Sequence, residues 1–494
     1  METALSLIRN SIFSSLASLI TKAANTLVFI LIARRLTVDE VGVYSLALTY
    51  SIIFVQVASW GLDQLLTREV ARHREKAERY WINFLLIRLM LSLLTYGLLA
   101  LIVTSLIRYE QTTVYVLLLV GITIVFDSVS NICQAVFIAF ERLDYITYAS
   151  LAMSLFKLGA TWVGLQAAGG LMLLVSVIVG TSLVGMLFNL AVVHWRFLGS
   201  LRHSSNKVNQ QVNLNAWTDW LGQAFPFIFI TLFYTLDCQL DVVLLSVWRS
   251  EEAVGLYGAA TTVLFALLFV SQAFREAIFP VMSRFYPSKP EALRKLYGTS
   301  ARWLLAIALP LASGSTLVAG DLMTWLYKGA FRESGRVLQI IIWSIPFLFL
   351  NVPNNRLMIA AGKQRELARF IIASMGANLL LNLWLTPSIG YLGTALARLA
   401  SSTLFFILAY AYTSRQLLRF NLLTILPRPV IASAVMGIAV GLVDSWHVLL
   451  TILVGGAAYA LTLWLTGFLS DDERSFIKQM ALDLKNQKSR QWAG

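Results

Sequence analysis

The chain has 494 residues, of which 58% are hydrophobic and 13% are charged. Soluble domains carry about 25% charged residues, so this composition excludes a string of soluble domains and predicts that lipid surrounds most of the chain. The formal net charge is +13, but the basic residues lie mainly in short connections between apolar segments, where they indicate membrane topology rather than nucleic-acid binding.

Apolar runs long enough to cross a bilayer recur along the whole chain; a helix needs about 20 residues for this. They predict an all-α polytopic membrane protein with about fourteen transmembrane helices. The first run contains Lys22 and is too long for a signal-peptide core, so we expect it to be retained. The predicted spans lie near 10–33, 43–66, 81–107, 114–140, 147–167, 171–195, 219–247, 255–283, 300–326, 336–361, 367–387, 391–413, 429–446 and 448–469.

The order of these spans predicts two six-helix lobes followed by an additional pair of helices. No extramembrane piece is long enough to build a catalytic domain, so we do not expect an enzyme. The predicted boundaries are 1–198 for the N-terminal lobe, 199–216 for a cytoplasmic linker, 217–414 for the C-terminal lobe, 415–470 for the additional pair and 471–494 for a basic cytoplasmic tail.

The distribution of Lys and Arg predicts the orientation in the membrane. With both termini in the cytoplasm, the basic connections fall on the cytoplasmic side, and the opposite connections near Gly169, Ser388 and Trp446 carry almost no Lys or Arg. Arg34 and Arg35 run against this bias. We therefore expect a multi-pass protein of the plasma (inner) membrane.

A short motif occurs twice in the chain. The segment Asp39–Tyr44 (DEVGVY) recurs as Glu252–Tyr257 (EAVGLY), six predicted helices later. An even number of helices preserves orientation, so the two lobes are expected to be parallel repeats related by a pseudo-two-fold axis along the membrane normal. Such an arrangement predicts a cleft between the lobes.

Further motifs follow in a fixed order along nearly the whole chain. They are Ala33–Leu36 leading into Val41–Tyr44, Gly61-Leu62 before Arg68-Glu69, Pro226 before Asp241, Val254–Tyr257, Phe279-Pro280, and Asn378 to Asn382 running through Pro387 into Gly390–Ala395. By the order and spacing of these motifs, the chain resembles the polysaccharide-type flippases of the multidrug/oligosaccharidyl-lipid/polysaccharide exporter superfamily. The resemblance implies transfer of a polyprenyl-diphosphate-linked oligosaccharide from the cytoplasmic to the outer leaflet by alternating access.

Six basic residues fall well inside predicted spans, where a charge costs at least about 2.5–3.5 kcal/mol and rarely faces lipid. If they converge on the cleft, they form a cationic chamber that attracts a diphosphate headgroup. The alternatives are internal ion pairs and snorkelling to an interface, and for Arg398 snorkelling is weighted equally with a functional role. The six candidates for substrate binding are Arg275, which we rank first, and Lys22, Arg88, Arg356, Lys157 and Arg398.

Acidic and amide residues inside the spans form a second candidate set. Asp237 and Asp241 are one turn apart and share a helix face. By the resemblance, Asp241 matches an acidic residue of the superfamily, and Asn378, Asn382 and Thr394 are oxygen ligands for a sodium ion like that of the lipid II flippases. The alternative is that the amides join neighbouring helices and the aspartates balance the arginines.

Asp127 is a further candidate for ion coupling. We expect it to pair with Arg88 or Lys157, or to act as a proton-linked carboxylate. No cofactor is expected beyond sodium or a proton as the coupling ion.

Three function classes compete. A lipid-linked oligosaccharide flippase accounts for the composition, the repeat and the basic interior, and the absence of a G-x-x-x-x-G-K-[ST] motif indicates a secondary transporter. A drug or cation exporter of the same superfamily would be better served by an acidic cavity. A membrane glycosyltransferase or polymerase would need an extramembrane catalytic surface, although such enzymes are expected partners alongside the lipid-linked glycan and membrane lipid.

Overall fold

The computed structural model describes residues 2–167, 169–198, 214–443 and 446–468. These residues form helices and their connections, without a β-strand. Most of the predicted linker 199–216 and all of the predicted tail 471–494 lie outside the described residues. The helices are α1 Glu2–Ala33, α2 Val38–Ser59, α3 Leu62–Arg72, α4 Ala77–Leu101, α5 Gln111–Gly121, α6 Thr123–Ala139, α7 Leu143–Gln166, α8 Leu171–Val192, α9 Leu214–Trp248, α10 Glu251–Leu267, α11 Phe269–Phe285, α12 Pro290–Leu317, α13 Ala319–Tyr327, α14 Ser334–Ile341, α15 Ser344–Ala360, α16 Gln364–Ile389, α17 Tyr391–Tyr412, α18 Pro427–Leu442 and α19 Val448–Leu465.

Within the described residues, nine helical runs are long and apolar enough to cross a membrane, or ten when the bent pair α12 and α13 is taken as one span. Two shorter apolar helices lie at Ala17–Ala33 and Pro427–Leu442. The protein is therefore an all-helical, multi-pass membrane protein. The count of fourteen spans and the layout in two six-helix lobes stay predictions.

Several predicted spans are divided into two helices. The span predicted near 43–66 is interrupted where Trp60 and Gly61 adopt left-handed conformations, with φ of 48° and 74°. At Gly61 a Cβ atom would lie 2.5 Å from the main-chain oxygen of Ala224. The turn therefore requires a residue without a side chain at this position. The span predicted near 300–326 bends by 80° between α12 and α13.

The chain divides into two compact units. Unit 1 consists of the described residues of Met1–Phe269, Met323–Ile341 and Ile371–Ser401, and unit 2 consists of those of Val270–Leu322, Ile342–Phe370 and Ser402–Gly494. In unit 1, α2 packs against α4, α5, α6, α9 and α10, and α1 packs against α7. In unit 2, α12 packs against α15 and α18, and α18 packs against α19.

The two copies of the repeated motif meet in unit 1. Helix α2 begins with a capping box, in which Thr37 and Glu40 satisfy each other's main-chain N–H groups. A Cβ at Gly42 would lie 1.8 Å from the main-chain oxygen of Glu251, and a Cβ at Gly255 would lie 2.1 Å from that of Val38. The contact is reciprocal, as repeat-related helices would make it, and it requires glycine on both sides because the backbones touch.

Candidate functional site

A buried polar network joins α9, α10, α16 and α17 in unit 1. The guanidinium Nε of Arg398 donates to Oδ2 of Asp241 at 2.7 Å, and the Tyr257 hydroxyl donates to the same oxygen at 2.8 Å. The side-chain amide of Asn382 donates to Oδ1 at 3.1 Å. The Asp241 side chain is 2% exposed, so its charge and both of its oxygens are satisfied within the protein.

Arg398 also contacts the aspartate one turn earlier on α9. One guanidinium nitrogen lies 3.6 Å from Oδ2 of Asp237, and another donates to the main-chain carbonyl of that residue. Asp237 and Asp241 share a helix face, as their spacing predicts, and a single arginine bridges them. Removal of one partner from a buried pair of this kind strongly destabilises the fold, because the other charge is left without compensation.

Amide and hydroxyl groups extend the network along α16 and α17. Asn378, Asn382 and Thr386 are spaced by four residues, and each successive side chain donates to the one before it, at 3.2 Å and 2.9 Å. The hydroxyls of Thr386 and Thr394 are 3.0 Å apart. All four of these side chains are fully buried. Of these side chains, Asn382 contacts Asp241 directly, and the sodium site stays a prediction.

The positive charge beside the Asp241 carboxylate comes from the Arg398 side chain. Asp241, a predicted ion-coupling residue, is bonded to Arg398, a predicted substrate-binding residue. Neither role is excluded by this geometry, and both stay predictions. The sequence interpretation missed Tyr257 and Thr386: Thr386 continues the four-residue spacing of the two asparagines, and Tyr257 is the last residue of the repeated motif.

The second buried ion pair joins α4 to α3. Arg88 is fully buried, and one of its guanidinium nitrogens lies 3.7 Å from Oδ2 of Asp63. That oxygen also accepts a hydrogen bond from Ser59 at 3.0 Å. None of the three guanidinium nitrogens makes a hydrogen bond to another described residue. Asp63 is thus the partner of a charge in the protein interior.

A third intramembrane carboxylate, Asp127, lies on α6. Of its two predicted partners, Lys157 on α7 interacts with it electrostatically, whereas Arg88 pairs with Asp63. Ser182 on α8 is a second polar neighbour of Asp127. Asp127 therefore interacts with polar side chains of two neighbouring helices of unit 1.

The remaining three basic candidates are half-buried. Lys22 lies on α1 in unit 1, and Arg275 and Arg356 lie on α11 and α15 in unit 2. The Arg356 guanidinium is 5.2 Å from the centre of the Phe279 ring, within cation–π distance. A single cationic chamber containing all six basic residues stays a prediction.

The sequence of this helical membrane protein matches two family models. Residues 7–286 match the family model described as polysaccharide biosynthesis protein. The chain belongs to this family. Residues 226–384 also match the MatE family model, which is consistent with the multidrug/oligosaccharidyl-lipid/polysaccharide exporter superfamily expected from the sequence motifs.

A curated relative of this family member is a probable flippase, AglR, of Haloferax volcanii. The two are 27% identical over 175 residues, which cover 34% of this chain. The matched segment is 36% of the relative's length, so the chain spans about a third of that relative. The relative's activity is therefore evidence for a proposal about this chain.

Solved structures show the fold of this family member. The lipid II flippase MurJ in an inward closed conformation matches with a TM-score of 0.73 at 14% identity, covering 92% of this chain and 98% of that one. An inward-facing multidrug resistance MATE family transporter matches with a TM-score of 0.60 at 12% identity, covering 80% and 94%. At these identities the likeness shows the fold alone.

Proposed function

We propose that the protein is a secondary transporter that flips a polyprenyl-diphosphate-linked oligosaccharide from the cytoplasmic to the outer leaflet by alternating access, for cell-surface polysaccharide export. Membership of the polysaccharide biosynthesis family carries this proposal. The flippase relative and the superfamily fold support it. In this proposal the chain has no enzymatic activity, both termini are cytoplasmic, and a polymerase or glycosyltransferase at the outer face uses the product.

The charged interior supports a cargo with an anionic headgroup. Lys22, Arg275 and Arg356 are half-buried cations in helices of the bundle, where a charge is costly and an anionic ligand would offset that cost. Arg88 pairs with Asp63, Arg398 pairs with Asp241, and Lys157 interacts electrostatically with Asp127. For these last three basic residues we therefore favour a role in holding helices together over contact with the diphosphate.

The proposal is tested by leaflet translocation in proteoliposomes. A fluorescent polyprenyl-diphosphate oligosaccharide is reconstituted with the wild type, with Arg275→Ala, or with Arg365→Ala as a matched control at an exposed arginine. Loss of a charge-assisted contact with the diphosphate predicts a decrease of about 10- to 100-fold for Arg275→Ala and wild-type rates for Arg365→Ala.

Two results of this assay contradict the proposal at different levels. Failure of the folded wild type to translocate any of several glycan-bearing lipids rules out the flippase assignment. Equal rates for Arg275→Ala and Arg365→Ala rule out the role of Arg275 and leave the flippase assignment in place.

The same assay distinguishes the coupling ions. Sodium and proton gradients are imposed separately on the reconstituted wild type. The Asp241 network favours transport that does not depend on sodium, because the Arg398 guanidinium already lies against Asp241. A sodium gradient that drives translocation would contradict this part of the proposal and support the oxygen-ligand interpretation of Asn378, Asn382 and Thr394.

A drug or cation exporter is the second candidate, and the match of residues 226–384 to the MatE family model favours it. It predicts gradient-driven efflux of a cationic dye such as ethidium from the same proteoliposomes. Dye efflux without lipid translocation would replace the flippase proposal with this one.

A further inference from the structure

A polar cavity of about 430 Å³ lies inside unit 1, between α2, α6, α7 and α8. This volume is within the roughly 300–1,000 Å³ of typical ligand pockets. Its lining includes four side-chain amides, those of Gln56, Asn131, Gln134 and Asn189, and the hydroxyls of Ser150 and Ser182. Polar groups inside a membrane bundle are costly unless they bind water, another side chain or a ligand.

Three of these four amides, those of Gln56, Asn131 and Gln134, are available to a ligand, whereas the Asn189 amide donates to the Ser130 hydroxyl. On α6, Asp127, Asn131 and Gln134 follow the spacing i, i+4, i+7 and thus share one helix face, and Gln56 faces the same space from α2. None of the three amides makes a hydrogen bond to another described residue, in contrast to the asparagines of the Asp241 network.

The charge of the cavity argues against an anionic ligand. Among the described residues, Asp127 is the one ionisable residue that lines the cavity, and Lys157 on α7 interacts with it electrostatically. A diphosphate would gain no cation from the lining and would approach a carboxylate. An uncharged ligand rich in hydroxyls matches the lining, since each hydroxyl donates and accepts and each side-chain amide does the same.

We propose that this cavity binds an uncharged sugar of the lipid-linked cargo through the side-chain amides of Gln56, Asn131 and Gln134. The inference rests on the proposed flippase function and adds to it a glycan subsite separate from the residues proposed for the diphosphate. The volume accommodates a monosaccharide or disaccharide. The subsite selects cargo by its sugar, because a site built to hydrogen-bond hydroxyls discriminates against ligands that lack them.

The test measures binding of defined lipids to the full-length protein in nanodiscs. The probes are bare polyprenyl diphosphate and polyprenyl diphosphate carrying N-acetylglucosamine, galactose or glucuronic acid. The variants are Asn131→Leu and Gln134→Met, which nearly preserve volume and remove the amide, and the control is Gln166→Met at the exposed end of α7. Affinity for the bare lipid also reports whether each variant is folded.

The expected result is tighter binding of a lipid with an uncharged sugar than of the bare lipid by the wild type and by Gln166→Met. Asn131→Leu and Gln134→Met each reduce that preference by about threefold to tenfold per lost hydrogen bond, with unchanged affinity for the bare lipid. The inference is overturned if the wild type binds bare and glycosylated lipids equally, or if both variants retain the preference. Absence of binding even to bare polyprenyl diphosphate by the wild type would instead remove the flippase proposal, and the glycan subsite with it.

Discussion

The contact between the two copies of the repeated motif is tested by adding one methyl group at Gly42. In Gly42→Ala the new Cβ would lie 1.8 Å from the main-chain oxygen of Glu251 and 2.7 Å from its carbonyl carbon. A carbon and an oxygen normally approach to about 3.3 Å, so α2 and α10 must separate locally by roughly 1.5 Å. Both clashing atoms belong to the backbone and cannot move away by a change of rotamer.

This separation weakens the packing around Gly42. Gaps of about 0.5–1 Å already forfeit a quarter to a half of the local dispersion energy, and the fully buried Val41 and Val254 lie in the helical turns that separate. Overpacking costs about 1–3 kcal/mol. We expect the upper end, about 3 kcal/mol, because relief requires movement of a whole helix.

The assay is a denaturing-detergent titration in lipid bicelles, followed by tryptophan fluorescence, together with the translocation assay. Gly159→Ala on α7 is the matched control, because a Cβ there meets no atom within 4 Å. The control should keep or slightly increase stability, since alanine favours helix by about 1 kcal/mol over glycine. A Gly42→Ala protein as stable as Gly159→Ala would refute the close backbone contact.

A double variant adds a second check on the same contact. Gly255→Ala alone would place its Cβ 2.1 Å from the main-chain oxygen of Val38 and should destabilise similarly. Once the first methyl has separated the helices, the second meets less resistance, so Gly42→Ala with Gly255→Ala should cost less than the sum of the single variants. Additive costs would indicate two independent sites.

Two further predictions concern the buried ion pairs. Arg398→Ala leaves Asp241 without its cation and should lower the free energy of unfolding by about 3–5 kcal/mol; sodium should restore part of the loss relative to choline, and an unchanged unfolding midpoint would contradict the pairing. Asp63→Asn leaves Arg88 as an uncompensated buried charge and should destabilise by a similar amount, whereas Asp144→Asn, in an exposed pair with Arg142, should change stability by less than about 1 kcal/mol. Equal stability of the two asparagine variants in the same titration would show that the buried carboxylate does not compensate Arg88.

Local spacing in the sequence was enough to predict parts of the site. The face shared by Asp237 and Asp241 follows from helix geometry, because residues four apart lie one above the other. The same rule placed Asn378 beside Asn382 and would have added Thr386. The glycines at the centre of the repeated motif were visible as a pattern, but their mutual contact was not.

Pairings between distant residues could not be predicted in this way. Arg398 bonds to Asp241, 157 positions away in the chain, and nothing in local periodicity selects that carboxylate over Asp63 or Asp127 as its partner. The interruption at Trp60 and Gly61 also escaped prediction, because the apolar pattern continues through it and the turn depends on close approach of Ala224 from α9.

The sequence by itself determined that this protein is an all-helical membrane protein, since lipid requires long apolar helices with internally satisfied backbones. The sequence also determined its membership of the polysaccharide biosynthesis family. Only the tertiary structure decided which intramembrane charges neutralise each other and which polar side chains share a cavity. The physical reason is that the apolar runs specify where each helix lies along the chain, whereas ion pairs and cavities arise from the packing of helices whose contacts are far apart in sequence.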